Sequence, residues 1–300
     1  MRNLIIGVDG GGTRSSILLI DSTTEEVLGR QESGPANINS SVEESWSSII
    51  RGIERILGAK IADIATKQYN LTLVAGLAGT EISSACNEFK NHEYSNYFNS
   101  LDLLSDAHIA CIGALNGENG SLINIGTGTI GYQIQTGKEP NRVSGWGFPH
   151  SDEGGGAWLG IEATRLLFKS LDKRVEPSSL LDFLFSKFDN NLDELIFLSN
   201  QKSQNWFGKA GSHVIEFYRE NGKGDRHLDD LMTRATNEII EVVNALDVSS
   251  GSFLPICLAG GISKFLFDWL PEHIQKRVVE SRSTPEEGAV SYALNKYKKD

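Results

Sequence analysis

The sequence predicts an α/β protein made of two duplicated domains, and three glycine-rich stretches carry that prediction. The first is Leu4-Ile5-Ile6-Gly7-Val8-Asp9-Gly10-Gly11-Gly12-Thr13, an apolar run of strand length that stops at an acid, turns through three glycines and resumes after Arg14 as a second Ile- and Leu-rich run. The second, Ser121-Leu122-Ile123-Asn124-Ile125-Gly126-Thr127-Gly128-Thr129, repeats the strand, turn, strand design about half a chain later, which reads as a duplication. The third is a strand over Phe253–Ala259 that runs into Gly260-Gly261 and then a helix.

Both hairpin turns suit an anion. Consecutive glycines leave backbone N–H groups uncovered, so Gly10, Gly11, Gly12 and Thr13 in the first turn, and Gly126, Thr127 and Gly128 in the second, can wrap a phosphate closely. Two commoner phosphate motifs are excluded. No Lys followed by Ser or Thr closes the glycine run as in a P-loop, and after Thr13 the chain continues as strand instead of the helix of a dinucleotide fingerprint. Two such domains facing one another predict a nucleotide between them, with Gly260 and Gly261 passing close to the adenine ring. Asp9 ends the first strand, where a carboxylate holds magnesium through water. For the first turn taken alone, an ordinary glycine-rich hairpin is the alternative.

Three hundred residues suffice for two α/β domains, each with its own core. A hydrophobic share of 39% with 22% charged residues is that of a soluble globular protein. The formal charge of −11 argues against a nucleic-acid or anionic-membrane surface, since either needs a basic face. Lys296, Lys298 and Lys299 make only a short cluster suited to a solvated helix end. Cys86, Cys111 and Cys257 lie far apart in apolar surroundings, with neither a disulfide framework nor a zinc spacing. Strand residues begin by Leu4, which leaves no room for a signal peptide, and no apolar run approaches membrane-spanning length. The expected compartment is cytoplasmic.

In chain order, Glu26–Gln31 completes a three-stranded meander. The loop Gly34-Pro35-Ala36-Asn37 leads into a helix over about 42–60, with Val42, Trp46, Ile49, Ile50, Ile53, Ile56 and Leu57 on its packing face. A strand over 70–75 ends in the small-residue turn Gly76-Leu77-Ala78-Gly79-Thr80, in the crevice beyond strand carboxyl ends where open α/β sheets bind ligands. A helix over 81–91 and a strand over 102–105 then deliver Asp106 to the start of a helix over 107–115. The polar loop 116–120 reads as a hinge, so domains are expected over 1–116 and 117–283. Past the second hairpin, Gly145–Gly154 sets Trp146, Asp152 and Glu153 among glycines. Helices follow near 156–171, 177–187, 191–199, 203–220 and 226–246. Pro285, Glu286 and Glu287 open a final helix over 285–298.

Taken as a set, Asp9-Gly10-Gly11-Gly12-Thr13, Ser105-Asp106-Ala107, Gly126-Thr127-Gly128-Thr129 and Ala259-Gly260-Gly261 resemble the sugar kinase, Hsp70 and actin ATPase superfamily. Within it, Ser33-Gly34-Pro35-Ala36-Asn37-Ile38, Gly76-Leu77-Ala78-Gly79 and Gly145-Trp146-Gly147-Phe148-Pro149-His150-Ser151-Asp152-Glu153-Gly154 resemble the BadF/BadG/BcrA/BcrD branch, and more narrowly its amino-sugar kinases. The match runs in order from residue 4 to about 290. It implies two ribonuclease H-like, actin-like ATPase domains facing a nucleotide and sugar cleft, with a C-terminal helix over 284–300 returning to complete the first domain. It also implies ATP and Mg2+ as cofactors and an amino sugar as acceptor at carbon 6. The loop 36–38 and the stretch 148–152 look more like the glucosamine-specific bacterial kinases, with N-acetylglucosamine the alternative acceptor. A homodimer is compatible with this architecture.

The same resemblance distributes roles. Asp106 is the candidate catalytic base, also touching the sugar: a strand end fixes it, and the N-terminus of the following helix favours its ionised form, as phosphoryl transfer to an alcohol requires. Its alternative is an ordinary Asp N-cap. Asn37 and Asp152 match positions that hydrogen-bond the sugar, although Asn37 also suits a plain turn. Gly79, Gly145 and Trp146 complete the substrate set, Trp146 offering either an aromatic face or a core plug. Lys209, in the patch Asn205–Gly211, meets a phosphate or solvent. A dehydratase activator of the same branch needs interfacial cysteine ligands for an iron–sulfur cluster, and the three cysteines here fall in predicted helix or strand. A regulator reading lacks any basic DNA-binding extension within the sequence.

Overall fold

The computed structural model describes residues 2–65, 69–200 and 203–297. The chain divides into two compact units. Among the described residues, the first comprises those up to 120, 133–140 and those from 280 onward, and the second 121–132 and 141–279.

The first unit is built on a strand whose residues are buried almost without alternation, as happens when both faces of a sheet are covered: β1 (Arg2–Gly10). It pairs antiparallel with β2 (Ser15–Asp21), which pairs with β3 (Val27–Ser33). Helix α1 (Val42–Leu57) starts where the Ser41 side chain accepts the Glu44 N–H and ends where Gly58 turns left-handed at φ 66°, three residues before the expected end. Its Trp46 is fully buried, stacks on Phe89 at 4.3 Å and donates from Nε1 to the Phe89 carbonyl. A short α2 (Ile61–Ala65), β4 (Tyr69–Leu77), α3 (Ser83–Asn91), a 3-10 segment over Glu93–Tyr97, β5 (Ser100–Ser105) and α4 (Asp106–Leu115) follow. The sheet order is β3-β2-β1-β4-β5, with β1, β4 and β5 parallel. Register sets Asp9 opposite Gly76 and Leu77 opposite Ser105, so three parallel strands present their carboxyl ends in one row.

The second unit carries most of β6 (Gly120–Ile125) and of β7 (Thr129–Ile134), and all of β8 (Asn141–Ser144). Five helices come next: α5 (Gly156–Leu171), α6 (Ser179–Ser186), α7 (Leu192–Asn200), α8 (Gln204–Asn221) and α9 (Arg226–Ser250). Helix α9 runs past the expected residue 246 because Gly251, at φ 65°, is the first residue to stop it. Then come β9 (Ile256–Ala259), α10 (Ser263–Leu266), a 3-10 turn over Phe267–Trp269, α11 (Glu272–Gln275) and β10 (Val278–Val279), in the sheet order β10-β9-β6-β7-β8. The expected strand over 253–259 begins only at Ile256, after Pro255. The apolar faces of α5, α6, α8 and α9 bury one continuous core with Ile123 and Ile125 of β6.

Helix α12 (Pro285–Tyr297) belongs to the first unit, against α4 and β1. A Cβ on Gly113 of α4 would overlap the Thr284 carbonyl, and one on Gly288 would overlap the Ile109 carbonyl, so glycine on both helices lets their backbones touch. The expected continuation through Lys298 and Lys299 lies outside the described residues. No described helix is long and apolar enough to cross a membrane.

Candidate active site

In the first unit the Gly-rich turn grows directly out of β1. The Gly11 N–H donates to the Arg14 carbonyl at 3.0 Å and closes the turn, while the Gly10 and Gly11 carbonyls accept from Ala78 and Ala36 at 2.9 Å each. The three glycines do different work. A Cβ on Gly10 would press on Leu77 Cδ2 at 2.5 Å and on Ala36, so that glycine serves packing. A Cβ on Gly12 would find no protein atom within 4 Å, and one on Gly11 only an ordinary contact with the Arg14 carbonyl. Open backbone at this point is what a phosphate needs.

The bonds to Ala36 and Ala78 bring the two other first-unit loops to the same strand end. Asn37 bridges to Ala78, and its Oδ1 accepts from the backbone of Asn39 (3.0 Å) and Ser40 (3.3 Å). Its oxygen therefore makes the turn. Gly79 sits at φ 89°, and a Cβ there would lie 2.7 Å from that oxygen, so glycine is required.

Asp106 does not cap α4. The cap is Ser105, whose Oγ accepts the His108 N–H at 3.1 Å, and Asp106 is the first helical residue, with its Oδ1 accepting the Ala107 N–H at 2.7 Å. Asp9 is pushed up to about 7, chiefly by burial and then by the charges of Asp106 and Glu286, with Arg14 acting against them. Glu286 was expected only as a helix-start acid. It is buried, and its Oε1 accepts from Ser16 Oγ at 3.0 Å and from the Arg30 guanidinium, which also reaches Glu287 at 2.6 Å. No local pattern in the sequence points to it, because its place beside β1 comes from the packing of α12 against Gly7.

Among the described residues no group of three or more His, Cys, Asp and Glu side chains is placed to hold a metal ion, whereas Asp9 stands next to the uncovered Gly11–Gly12 backbone.

The second unit repeats the device with different anchoring. The Gly126 N–H donates to the Gly128 carbonyl at 2.9 Å, and the first two N–H groups of α5 donate to the Gly126 (2.9 Å) and Thr127 (2.8 Å) carbonyls. A Cβ on Gly126 would meet no protein atom within 4 Å. Gly260, at φ 88°, passes so close to the Ile125 carbonyl that no side chain fits, whereas Gly261 is open. Of this glycine pair, then, Gly261 is the one with room for a ligand. Thr127 also faces α8, where a Cβ on Gly208 would lie 3.0 Å from its methyl group. The glycine-interrupted patch 205–211 owes its composition to packing: Cβ atoms on Gly160 and Gly211 would overlap backbone carbonyls of the facing helix, α8 or α5. Lys209 is exposed.

Asp152 lies against the second turn. It is 6% exposed, adopts φ 71°, and its Oδ2 would be 2.5 Å from a Cβ on Gly128. Burial raises its carboxyl, opposed by hydrogen bonds from the Thr129 and Gly147 backbone. Gln204 Nε2 donates to its Oδ2 at 3.3 Å. Beside it, Thr129 Oγ1 is buried with no hydrogen-bond partner among the described residues. Trp146 is no core plug: it is 75% exposed, with the Arg142 guanidinium 4.5 Å from its ring centroid. Arg142 also donates to the Ser144 (3.2 Å) and Gly145 carbonyls, holding the left-handed Ser144-Gly145 pair that presents the indole. Sequence reasoning singled out neither Arg142 nor Gln204, because the contacts each makes with Trp146 or Asp152 exist only in the folded chain. Cys86 lies in α3, Cys111 in α4 and Cys257 in β9.

The profile of the BadF/BadG/BcrA/BcrD ATPase family matches residues 6–293. The glucosamine kinase GspK of Vibrio cholerae is 28% identical over 292 residues, which cover 97% of this chain and 96% of that protein. An N-acetylmuramic acid/N-acetylglucosamine kinase of Clostridium acetobutylicum is 30% identical over 201 residues, 65% of this chain and 64% of that protein. A solved structure from Chromobacterium violaceum, provisionally named an N-acetylglucosamine kinase, superposes with a TM-score of 0.82 at 26% identity, covering 98% of this chain and 99% of that one. The α/β fold with two five-stranded sheets is the actin-like fold of the sugar kinases, as expected.

Proposed function

This chain belongs to the BadF/BadG/BcrA/BcrD ATPase family, and we propose that it is an ATP-dependent amino-sugar kinase that converts glucosamine to glucosamine 6-phosphate. One observation carries the assignment: a carboxylate, Asp106, stands at a strand end with the capping duty taken by Ser105, in the same row of strand ends as the open glycine turn and Asp9.

Asp106 orients the carbon 6 hydroxyl and accepts its proton as that oxygen bonds to the γ-phosphorus, while the bond from phosphorus to the bridging oxygen of ADP breaks. In the first unit the turn through Gly11, Gly12 and Thr13 offers backbone N–H groups to phosphate oxygens; in the second, the turn through Gly126, Thr127 and Gly128 does the same, and Gly261 leaves room for the adenine. Asp9 would hold Mg2+ through water, and the ion would neutralise phosphate charge. Of the first unit, Asn37 and Gly79 are assigned to sugar contact; of the second, Gly145, Trp146 and Asp152 are the candidate sugar residues.

The preference for the free amine rests on the likeness to the Vibrio kinase along nearly the whole chain and on the acidic pair Asp152 and Glu153, which suits an ammonium group. The other two relatives carry N-acetylglucosamine in their names and favour that acceptor as the second reading. A coupled ADP-release assay with ATP and magnesium, offering glucosamine, N-acetylglucosamine, glucose and N-acetylmannosamine in parallel, decides. Turnover with glucosamine alone supports the first reading, turnover with N-acetylglucosamine replaces it by the second, and the absence of any sugar-dependent release sinks both.

A further inference from the structure

We infer that Gln204 is a positioning residue for the Asp152 carboxylate, and that α8 carries it there as part of one rigid element shared with the second glycine turn. The inference rests on the amino-sugar kinase reading and on the role of Asp152 in it.

A carboxylate as buried as Asp152 has to be met by donors. Two come from the backbone, at Thr129 and Gly147, and Gln204 Nε2 adds a side-chain donor at 3.3 Å. An ionised carboxylate offers about four acceptor sites, so these three leave room for a substrate donor. The chemistry of the third donor matters. A Lys or Arg at this place would cancel the negative charge, whereas a neutral amide orients the carboxylate and leaves its charge for a hydroxyl or ammonium.

Gln204 is exposed and does not fill the core. What fixes it is its helix. It is the first residue of the eighteen-residue α8, whose N-terminus also favours a negative charge close by. Helix α8 cannot drift, because Gly160 and Gly211 bring its backbone into direct contact with α5. Helix α5 in turn begins by bonding the Gly126 and Thr127 carbonyls. The phosphate turn, α5, α8 and the Asp152 carboxylate therefore move as one body.

The test is a set of saturation curves for sugar and for ATP on the wild type, Gln204→Ala and Gln204→Glu. Gln204→Ala is expected to raise the sugar KM roughly fivefold, the worth of one ordinary hydrogen bond, with the ATP KM within about twofold and the melting temperature unchanged. Gln204→Glu keeps the shape but sets a second carboxylate against Asp152, and is expected to raise the sugar KM further. An unchanged sugar KM in Gln204→Ala overturns the inference, as does a rise shared equally by sugar and ATP, which marks a general role in placing α8. Failure of the wild type to phosphorylate any amino sugar is seen before the variants are compared, and overturns the kinase reading itself.

Discussion

Ser105 caps α4 and Asp106 does not: the Ser105 Oγ accepts the His108 N–H at 3.1 Å, and Asp106 follows as the first helical residue. Cap and candidate base are thus separable by mutation. Asp106→Asn keeps the shape and the bond to Ala107, so melting temperature and sugar binding by calorimetry should stay near wild type while turnover falls by about 10^2-fold or more. Ser105→Ala should instead cost about 1 kcal/mol of stability with turnover retained in part. Near-normal turnover in Asp106→Asn would remove that residue from its role.

Asp9 makes stability depend on pH in a stated direction. Its folded value of about 7 lies above the ordinary carboxylate value of 3.8. Between those values the folded protein keeps a proton that the unfolded chain gives up, so this group makes the protein less stable as pH rises through the window. Asp9→Asn removes that effect. In chelator and without nucleotide, the variant should match the wild type below pH 4 and exceed it above pH 7, by up to a few kcal/mol. Thermal melts at closely spaced pH values measure the difference, and a gap that is flat across the range counts against the half-buried, charge-crowded Asp9 of β1.

The glycines separate into those whose missing Cβ is required by packing and those that face open space. Gly12→Ala places a methyl group in open space and should change stability by no more than about 0.5 kcal/mol, yet raise the ATP KM because the phosphate would meet it. Gly288→Ala drives a methyl group into the Ile109 carbonyl of α4 and should destabilise by about 1–3 kcal/mol. Melting curves and ATP titrations on the pair distinguish the two. An ATP KM unmoved by Gly12→Ala would mean that the turn does not hold phosphate.

Trp146 is held out to solvent by Arg142, so its removal should be felt by substrate more than by the fold. Trp146→Ala is expected to leave the melting temperature within about 2 °C, as for other exposed positions, and to raise the sugar KM with little change for ATP. Arg142→Ala, which frees the indole and the Ser144-Gly145 corner, should reproduce part of that rise. Equal KM values for sugar in wild type and Trp146→Ala would rule out the stacking role.

Local chemistry in the sequence determined the elements and the glycine turns. Apolar runs of strand length ending in Asp9-Gly10-Gly11-Gly12-Thr13 and Gly126-Thr127-Gly128-Thr129 allow little besides strand, open turn, strand, because both the burial period and the glycine turns act over a few residues. Tertiary structure decided what each polar group is used for. Neighbouring Ser105 and Asp106 are both good caps, and only the path of the chain into α4 shows which one is spent. Glu286 lies 277 positions after Asp9, and its charge reaches Asp9 only because α12 packs on β1 through Gly7 and on α4 through Gly113 and Gly288. The contacts of Gln204 with Asp152 and of Arg142 with Trp146 were hidden for the same physical reason: a pairing of side chains distant in sequence has no local pattern, and rests on a distance that exists only after folding.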